Sequence, residues 1–323
     1  MLRLPRRIKI LIAVLTTLIL IYAIPIPRVG IPVEELELGE GGFIEVDGLK
    51  VYYVEKGSGN ITFLLLHGFG ASTFSWRYVV NEFSKYGRVV AFDRPGFGLT
   101  ERKPPGSMRI NPYSVEGSIY ITCKLAEILN ITRVVIIGHS MGGGLALLIA
   151  DKCNYQVEGV VLVAPAWKQQ HKGITTYFLL HAPLSSKLGP LLIRGLVGQL
   201  EQVLYRAWYD KSKLTSEVLE GYKYPLNALD WDKGLYWIMK YYEFPGIDSV
   251  IPRIKYPVLI IHGREDEIVP LNSSIELVDK LGQYTRVELK IVEECGHLPH
   301  EEKPDEFNKI LLEYLNSYVF INY

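Results

Sequence analysis

The chain has 323 residues, 48% of them hydrophobic and 22% charged, and its 35 basic side chains balance its 35 acidic ones. This composition is typical of a globular protein with enough apolar material for a large core. The balanced charge excludes an electrostatic case for nucleic-acid binding, and the three scattered cysteines are too few for a disulfide framework or a zinc site.

The N-terminus combines basic residues with a long uncharged stretch. Residues 10–27 carry no charge and approach the lower limit of ~18 residues for a membrane span. Signal cleavage needs a small-x-small pattern, but Ile21 is bulky where Ala23 would be the last residue removed. We therefore expect an uncleaved signal anchor over residues 1–27, with the catalytic part outside the cytoplasm, rather than secretion after cleavage. The basic residues that precede the stretch are Arg3, Arg6, Arg7 and Lys9.

Strands alternate with helices along most of the chain. Two strands flank Asp47-Gly48, a strong hairpin signal. The other predicted strands cover residues 61–66, 88–93, 134–137, 157–163, 258–263 and 287–292. The predicted helices cover residues 75–86, 113–129, 143–150, 272–281 and 304–318. This alternation predicts an α/β fold with a mostly parallel, twisted sheet that helices cover on both faces.

The stretch around Ser140 predicts a catalytic nucleophile. A β-branched run over residues 134–137 ends at Gly138, and a helix-forming run begins just after Gly142. Strand, sharp turn and helix are the context in which G-x-S-x-G forms a nucleophile elbow. Such a turn presents the serine hydroxyl at the end of the strand, and the N-terminus of the helix favours a developing oxyanion.

Two backbone N–H groups are expected to bind that oxyanion. One comes from Met141, the residue after the nucleophile. The other comes from the turn over residues 67–70, most simply from Phe69, because Gly68 and Gly70 let the backbone approach a substrate closely.

A serine hydroxyl needs a general base and an acid that orients it. Of seven histidines, His297 and His300 follow the last strand, and Gly296 favours His297 as the base, with His300 as the nearest alternative. His139, inside the elbow, is expected to point away from the hydroxyl. The acid should lie in the loop after Gly263, where the sequence leaves three carboxylates open: Glu265, Asp266 and Glu267.

The regular alternation is interrupted by a helical insertion over residues 166–246. We predict that this insertion caps the carboxyl edge of the sheet, and that residues 28–165 and 247–323 form the core domain. Four tryptophans lie in the cap, and some of their rings are expected to form an apolar substrate wall. They are Trp167, Trp208, Trp231 and Trp237.

The cysteines give weaker signals. Cys123 and Cys153 could meet between neighbouring helices, but two free buried thiols are the favoured expectation, and Cys295 is assigned to local packing. No residue pattern calls for a metal or an organic cofactor.

Four stretches together resemble the α/β-hydrolase superfamily, in particular its capped serine esterases and lipases. They are His67–Gly70, Asp93–Gly98, Gly138–Gly143 and Gly296–Pro304. The resemblance implies eight strands with the second antiparallel, and its pattern G-x-x-D-x-x-V-P maps onto Gly263–Pro270 and selects Asp266 as the acid. The N-terminal anchor makes the chain similar to membrane-bound monoacylglycerol lipases of this superfamily.

The resemblance implies a serine hydrolase that cleaves carboxylic esters of apolar acyl groups. Ser140 distinguishes it from the dehalogenases and epoxide hydrolases of this fold, which use an aspartate. The carbon–carbon hydrolases of vinylogous diketones share Ser-Met-Gly-Gly, but they usually have Asn in place of His139 and Trp in place of Leu298. They remain the alternative, and a non-catalytic ligand-binding protein is a weaker one. The expected partners are a small apolar ester and a membrane.

Overall fold

The computed structural model describes residues 5–169 and 172–320, and an eight-stranded sheet forms its centre. The strands lie in the order β1-β2-β4-β3-β5-β6-β7-β8. β2 pairs antiparallel with both β1 and β4, and the five other pairings in the sheet are parallel. The predicted mostly parallel sheet with an antiparallel second strand is confirmed. The strands are β1 (Gly42–Val46), β2 (Leu49–Lys56), β3 (Thr62–Leu66), β4 (Arg88–Phe92), β5 (Arg133–His139), β6 (Gln156–Val163), β7 (Val258–Gly263) and β8 (Val287–Val292).

Helices of the core pack on the two faces of this sheet. One buried apolar cluster lies under α3 and α4, and another lies under α2 and α12. β3, β5 and β7 are buried along their whole length or nearly so, because both of their faces are covered. The core helices are α2 (Arg77–Phe83), α3 (Val115–Ile128), α4 (Met141–Lys152), α10 (Leu271–Leu281), α11 (Pro299–Glu302) and α12 (Pro304–Tyr318).

Between β6 and β7 the chain forms the helical insertion that the sequence predicts. Its α-helices are α5 (Ile174–His181), α6 (Ser185–Leu196), α7 (Leu200–Ala207), α8 (Ser216–Lys223) and α9 (Trp231–Tyr241). Short 3₁₀ segments connect several elements, at Val33–Glu35, Thr73–Trp76, Val197–Gln199, Lys211–Lys213, Tyr224–Asn227 and Ile251–Arg253. The backbone near the N-terminus pairs with the cap rather than with the sheet, since Val29 O accepts from Asp230 N at 2.8 Å.

The hairpin between β1 and β2 follows directly from its two turn residues. Asp47 and Gly48 have φ values of 48° and 78°. A two-residue turn with positive φ at both positions matches the twist of the flanking strands, which is why Asp-Gly is favoured there.

A further helix, α1 (Arg6–Ala23), covers most of the predicted anchor. It has 18 residues, and Arg6, Arg7 and Lys9 occupy its first turn. Among the described residues, no helix is long and apolar enough to cross a membrane. The predicted membrane span is therefore unsupported.

The expectation of two free thiols is wrong, because Cys123 and Cys153 form a disulfide with a Cα–Cα distance of 5.1 Å. Cys123 lies in α3, and Cys153 follows the last residue of α4. These helices pack side by side against the sheet, which brings the two positions together. Cys295 is free and buried, as its assignment to packing implies.

Candidate active site

Ser140 lies on a tight turn between β5 and α4. Its φ of 51° is in the left-handed region, which a residue with a side chain adopts only under strain. Glycines make the turn possible, because a Cβ at Gly138 would lie 2.3 Å from Gly142 O and one at Gly142 would lie 2.2 Å from Leu66 O. The strand and the helix thus pass closely on either side of the half-buried serine, as the elbow pattern predicts.

The turn after β3 lies directly against the elbow. A Cβ at Gly68 would be 3.3 Å from Ser140 Cβ, so this turn and the nucleophile are neighbours. Met141 is the first residue of α4, and its N–H has no partner within the helix. The turn that carries Phe69 and the first residue of α4, Met141, therefore both adjoin Ser140.

His297 lies in the loop between β8 and α11, where its side chain is 7% exposed. Its Nδ1 is 2.7 Å from Asp266 Oδ2, and its backbone N–H donates to Ala207 O of the cap. Gly296 matters here through close packing, because a Cβ would lie 2.4 Å from that same carbonyl oxygen. The loop that carries the predicted base is thus fixed by both the acid and α7.

Asp266 is the carboxylate that faces the imidazole. Besides His297, its Oδ1 accepts the N–H groups of Ile268 and Val269 at 2.7 and 2.9 Å. Burial by itself would raise the pKa of Asp266, but the hydrogen bonds from His262 and His297 outweigh it and hold the pKa below its ordinary value. An ionised Asp266 can orient the imidazole and stabilise its charged form.

The two other candidate carboxylates have different partners. Glu265 Oε2 accepts the N–H of Cys295 at 2.9 Å. Glu267 is exposed, and it lies 3.8 Å from the guanidinium of Arg206. Of the three acids that the sequence leaves open, Asp266 alone contacts His297 in the described structure.

The alternative base, His300, belongs to a separate buried group. Its Nε2 is 2.9 Å from Ser75 Oγ, and its ring lies 4.4 Å from the ring of Trp76. Burial and the nearby His139 and Arg77 lower the pKa of His300 well below its ordinary value. The side chain is therefore neutral, and it packs on the ring of His139 at 4.8 Å while Ser75 occupies its Nε2.

Two residues near the base were not given roles from the sequence. His139 points away from solvent, with its Nε2 2.9 Å from His297 O, so it supports the loop of the base. Glu302 is fully buried and accepts the N–H of Gly296 at 2.8 Å and that of Asp210. The stretch Gly296–Pro304 contains Glu302, but only the fold shows that its carboxylate joins this loop to the cap.

A cavity of about 250 Å³ lies under the cap beside this site. Its wall is mostly apolar and is shared by the cap and by the loops after β3 and β4. Phe69 is part of the wall, whereas Ser140 is not, so the turn of Phe69 is what links the cavity to the elbow. The cap residues on the wall include Ile193, Leu196, Val197, Leu200, Val203, Tyr222, Leu226, Trp231, Leu235 and Met239.

Of the four predicted cap tryptophans, only Trp231 lies on this wall, and the prediction for the others needs correction. Trp167 is buried in the core and donates its indole N–H to Ser273 O at 2.9 Å. Trp208 belongs to the buried cluster between cap and core. Trp237 packs on Tyr113, with ring centroids 4.9 Å apart. These rings seal the contact of the cap with the core, which uses their large apolar area.

The described residues contain no group of three or more His, Cys, Asp or Glu placed to hold a metal ion.

A family model described as alpha/beta hydrolase fold matches residues 61–304. The uncharacterized hydrolase YugF of Bacillus subtilis is 26% identical over 84% of this chain and 96% of its own length. A 2-hydroxy-6-oxononadienedioate/2-hydroxy-6-oxononatrienedioate hydrolase of Paraburkholderia phymatum is 29% identical over 83% of this chain and 92% of its own length.

Solved structures share the same architecture. A thermophilic esterase from Thermogutta terrifontis superposes with a TM-score of 0.68 at 21% identity, over 91% of this chain and 99% of its own. At this identity the likeness establishes the fold and no more than the fold.

Proposed function

Because the chain belongs to the α/β-hydrolase fold family, we propose that it is a serine hydrolase that cleaves carboxylic esters of apolar acyl groups. The observation that carries the proposal is the 2.7 Å contact between His297 Nδ1 and the buried Asp266, next to a strained serine elbow. A carboxylate in that position keeps the proton of the imidazole on Nδ1 and leaves Nε2 free to accept one from Ser140.

The reaction then follows from the roles of these groups. Ser140 Oγ attacks the ester carbonyl carbon while His297 accepts its proton. The N–H groups of Phe69 and Met141 and the N-terminus of α4 stabilise the oxyanion of the tetrahedral intermediate. His297 then protonates the departing alcohol. In the second half of the reaction His297 takes a proton from water as the water attacks the acyl-enzyme, and it returns that proton to Ser140 Oγ when the acid is released.

In the described residues, the hydroxyl of Ser140 makes no hydrogen bond to another protein group. Catalytic hydrogen bonds are often loose before substrate binds and tighten in the complex. In the proposed mechanism the bond from Ser140 to His297 forms when the substrate carbonyl enters between Phe69 and Met141.

The test is covalent labelling and turnover with a matched variant. A fluorophosphonate probe should label the wild-type protein at Ser140, and the variant Ser140→Ala should take up no label. The same variant should lose at least about a thousandfold in kcat on a soluble ester, since the hydroxyl carries the covalent step. Turnover of Ser140→Ala within tenfold of wild type would refute the nucleophile.

Carbon–carbon bond hydrolysis of a vinylogous diketone is the second candidate. It is favoured by the likeness to the Paraburkholderia phymatum hydrolase, which its name assigns to a substrate of that type. Against it stand His139 and Leu298, where the carbon–carbon hydrolases usually have Asn and Trp. Assay of the purified protein on esters, monoacylglycerols and a vinylogous 1,5-diketone decides between the two, because the preferred substrate shows the highest kcat/KM.

We also propose that the catalytic domain works outside the cytoplasm. The disulfide between Cys123 and Cys153 supports this, because disulfides persist mainly in oxidising compartments. A basic and then apolar N-terminus is also the pattern of a secretory signal. Protease treatment of intact cells should digest the domain, and protection until the cells are lysed would refute the placement.

A further inference from the structure

Three successive cap helices present large apolar side chains to solvent. On α5, the exposed fractions of Ile174, Phe178 and Leu179 are 74%, 66% and 67%, and that of Leu192 on α6 is 65%. Single exposed apolar residues are ordinary, but a concentration of them on packed helices marks an interaction surface. We call this set the apolar cap face: Ile174, Phe178, Leu179, Leu192, Leu196 and Val203.

The cavity under the cap opens at the edge of this face. Leu196 and Val203 are 51% and 55% exposed, and both also line the cavity. Phe69, which also lines the cavity, is 55% exposed. An apolar molecule that reaches the cap face at Leu196 and Val203 is therefore already in contact with the wall of the cavity.

The N-terminal helix leads into the same surface. Lys187 Nζ of α6 donates to Ile24 O at 2.7 Å, and a guanidinium N–H of Arg194 donates to Pro27 O at 2.7 Å. These bonds hold the segment that follows α1 against α6. The apolar side chain of Ile24 is 63% exposed there, so the end of α1 lies next to α6 in space although the two are far apart in the sequence.

The N-terminal segment and the first part of the cap both contain basic residues but no acidic ones. No Asp or Glu precedes Glu34, and none lies between Glu158 and Glu201. This is unusual in a chain whose 35 acidic residues match its basic ones in number.

Carboxylates of later segments pair with three of the four Lys and Arg side chains between Glu158 and Glu201. Asp232 pairs with Arg194, Glu243 with Lys172 and Glu276 with Lys168. The first turn of α1 adds three further cations, at Arg6, Arg7 and Lys9. The positive charge available to an anionic lipid surface therefore lies mainly in the first turn of α1, while the apolar cap face carries no acidic residue of its own.

We propose that the apolar cap face, together with α1, docks this protein onto anionic phospholipid membranes and turns the mouth of the cavity toward the lipid. An ester with a long acyl chain then passes from the bilayer into the cavity without crossing water. This second step rests on the proposed ester hydrolysis, whereas the docking itself does not depend on catalysis.

The experiment reads individual positions in the full-length Ser140→Ala protein, so that no lipid is consumed. An environment-sensitive fluorophore is attached at Leu179→Cys or Leu192→Cys, on the cap face. The matched controls are Ile128→Cys and Ile275→Cys, which replace core-helix residues that are 48% and 42% exposed. The native cysteines do not compete, because two form the disulfide and Cys295 is buried.

Vesicles that contain about a quarter phosphatidylglycerol in phosphatidylcholine should increase the fluorescence at both cap positions at least about twofold, with a shift to the blue, and leave both controls unchanged. Pure phosphatidylcholine should give a smaller response, and salt should reduce the difference between the two lipids because it screens the cations.

Three results would overturn the proposal. An unchanged cap signal in protein that sediments with vesicles would show that α1 binds alone. Equal responses at all four positions would show non-specific adsorption. A cap signal that follows protein concentration instead of lipid would assign the face to a second copy of the chain. If the docking signal is present but the wild-type protein hydrolyses no ester, the result would instead count against the proposed function.

Discussion

Replacing Asp266 with asparagine tests the orientation of the base most directly. The carboxylate contacts His297 Nδ1 through Oδ2, and its Oδ1 accepts two backbone N–H groups. An amide keeps one acceptor oxygen. If that oxygen stays with Ile268 and Val269, the NH₂ group faces the imidazole and fixes the tautomer that cannot accept a proton from serine.

The reversed amide is also unfavourable, because its NH₂ group would oppose two N–H donors in a buried place. We therefore expect Asp266→Asn to lower kcat by about 10³–10⁴-fold, or ~4–5.5 kcal/mol of transition-state stabilisation, with little change in KM. The side chain keeps its size, so the protein should stay folded by circular dichroism.

Neighbouring acids give matched controls for the assay of a soluble chromogenic ester. Glu265→Gln retains an oxygen that can accept from Cys295 N, and Glu267→Gln alters an exposed side chain. Each should change kcat/KM by less than about threefold, in keeping with the small effect of surface charges. A greater loss in Glu265→Gln than in Asp266→Asn would refute the assignment of the acid.

Four other predictions follow from the geometry. Gly296→Ala should lower kcat/KM at least about tenfold, because its Cβ would lie 2.4 Å from Ala207 O, whereas Gly195→Ala, with open space around it, should be neutral in the same assay. Removing the disulfide with Cys123→Ser and Cys153→Ser should lower the free energy of unfolding in urea by about 3–4 kcal/mol for its 30-residue separation, and an unchanged midpoint would contradict the pairing. Burial lowers the pKa of His139 well below its ordinary value, so below pH ~6.5 the unfolded chain binds a proton that the folded chain does not, and the free energy of unfolding falls as the pH drops. His139→Gln should reduce the slope of the unfolding free energy against pH by about 1.4 kcal/mol per pH unit, and equal slopes for the variant and the wild type would exclude this account. Finally, kcat/KM should rise about tenfold or more between two- and six-carbon acyl groups. Each of the four added methylenes contributes ~0.8 kcal/mol when it is buried, and half of their summed contribution is enough for a tenfold change. A profile that peaks at acetate would exclude an apolar acyl pocket.

Local patterns in the sequence predicted much of the sheet. β7 and β8 have the predicted bounds, because a short apolar run closed by glycine in β7 and an alternation of apolar and charged residues in β8 each specify a strand locally. The hairpin turn at Asp47-Gly48 is specified in the same local way. The helix after Ser75 shows the limit of this reasoning, since the chain first forms a 3₁₀ turn at Thr73–Trp76 and α2 begins at Arg77.

The sequence by itself also determined which residue types the site would need and the order in which they occur. It could not choose among three adjacent carboxylates from spacing, and it favoured free thiols at Cys123 and Cys153. Tertiary structure decided these points because each depends on which side chains meet across elements far apart in the chain. The same reason applies to the cap: composition shows that its rings are apolar, but only packing shows that Trp231 lines the cavity while Trp167 and Trp208 are buried between cap and core.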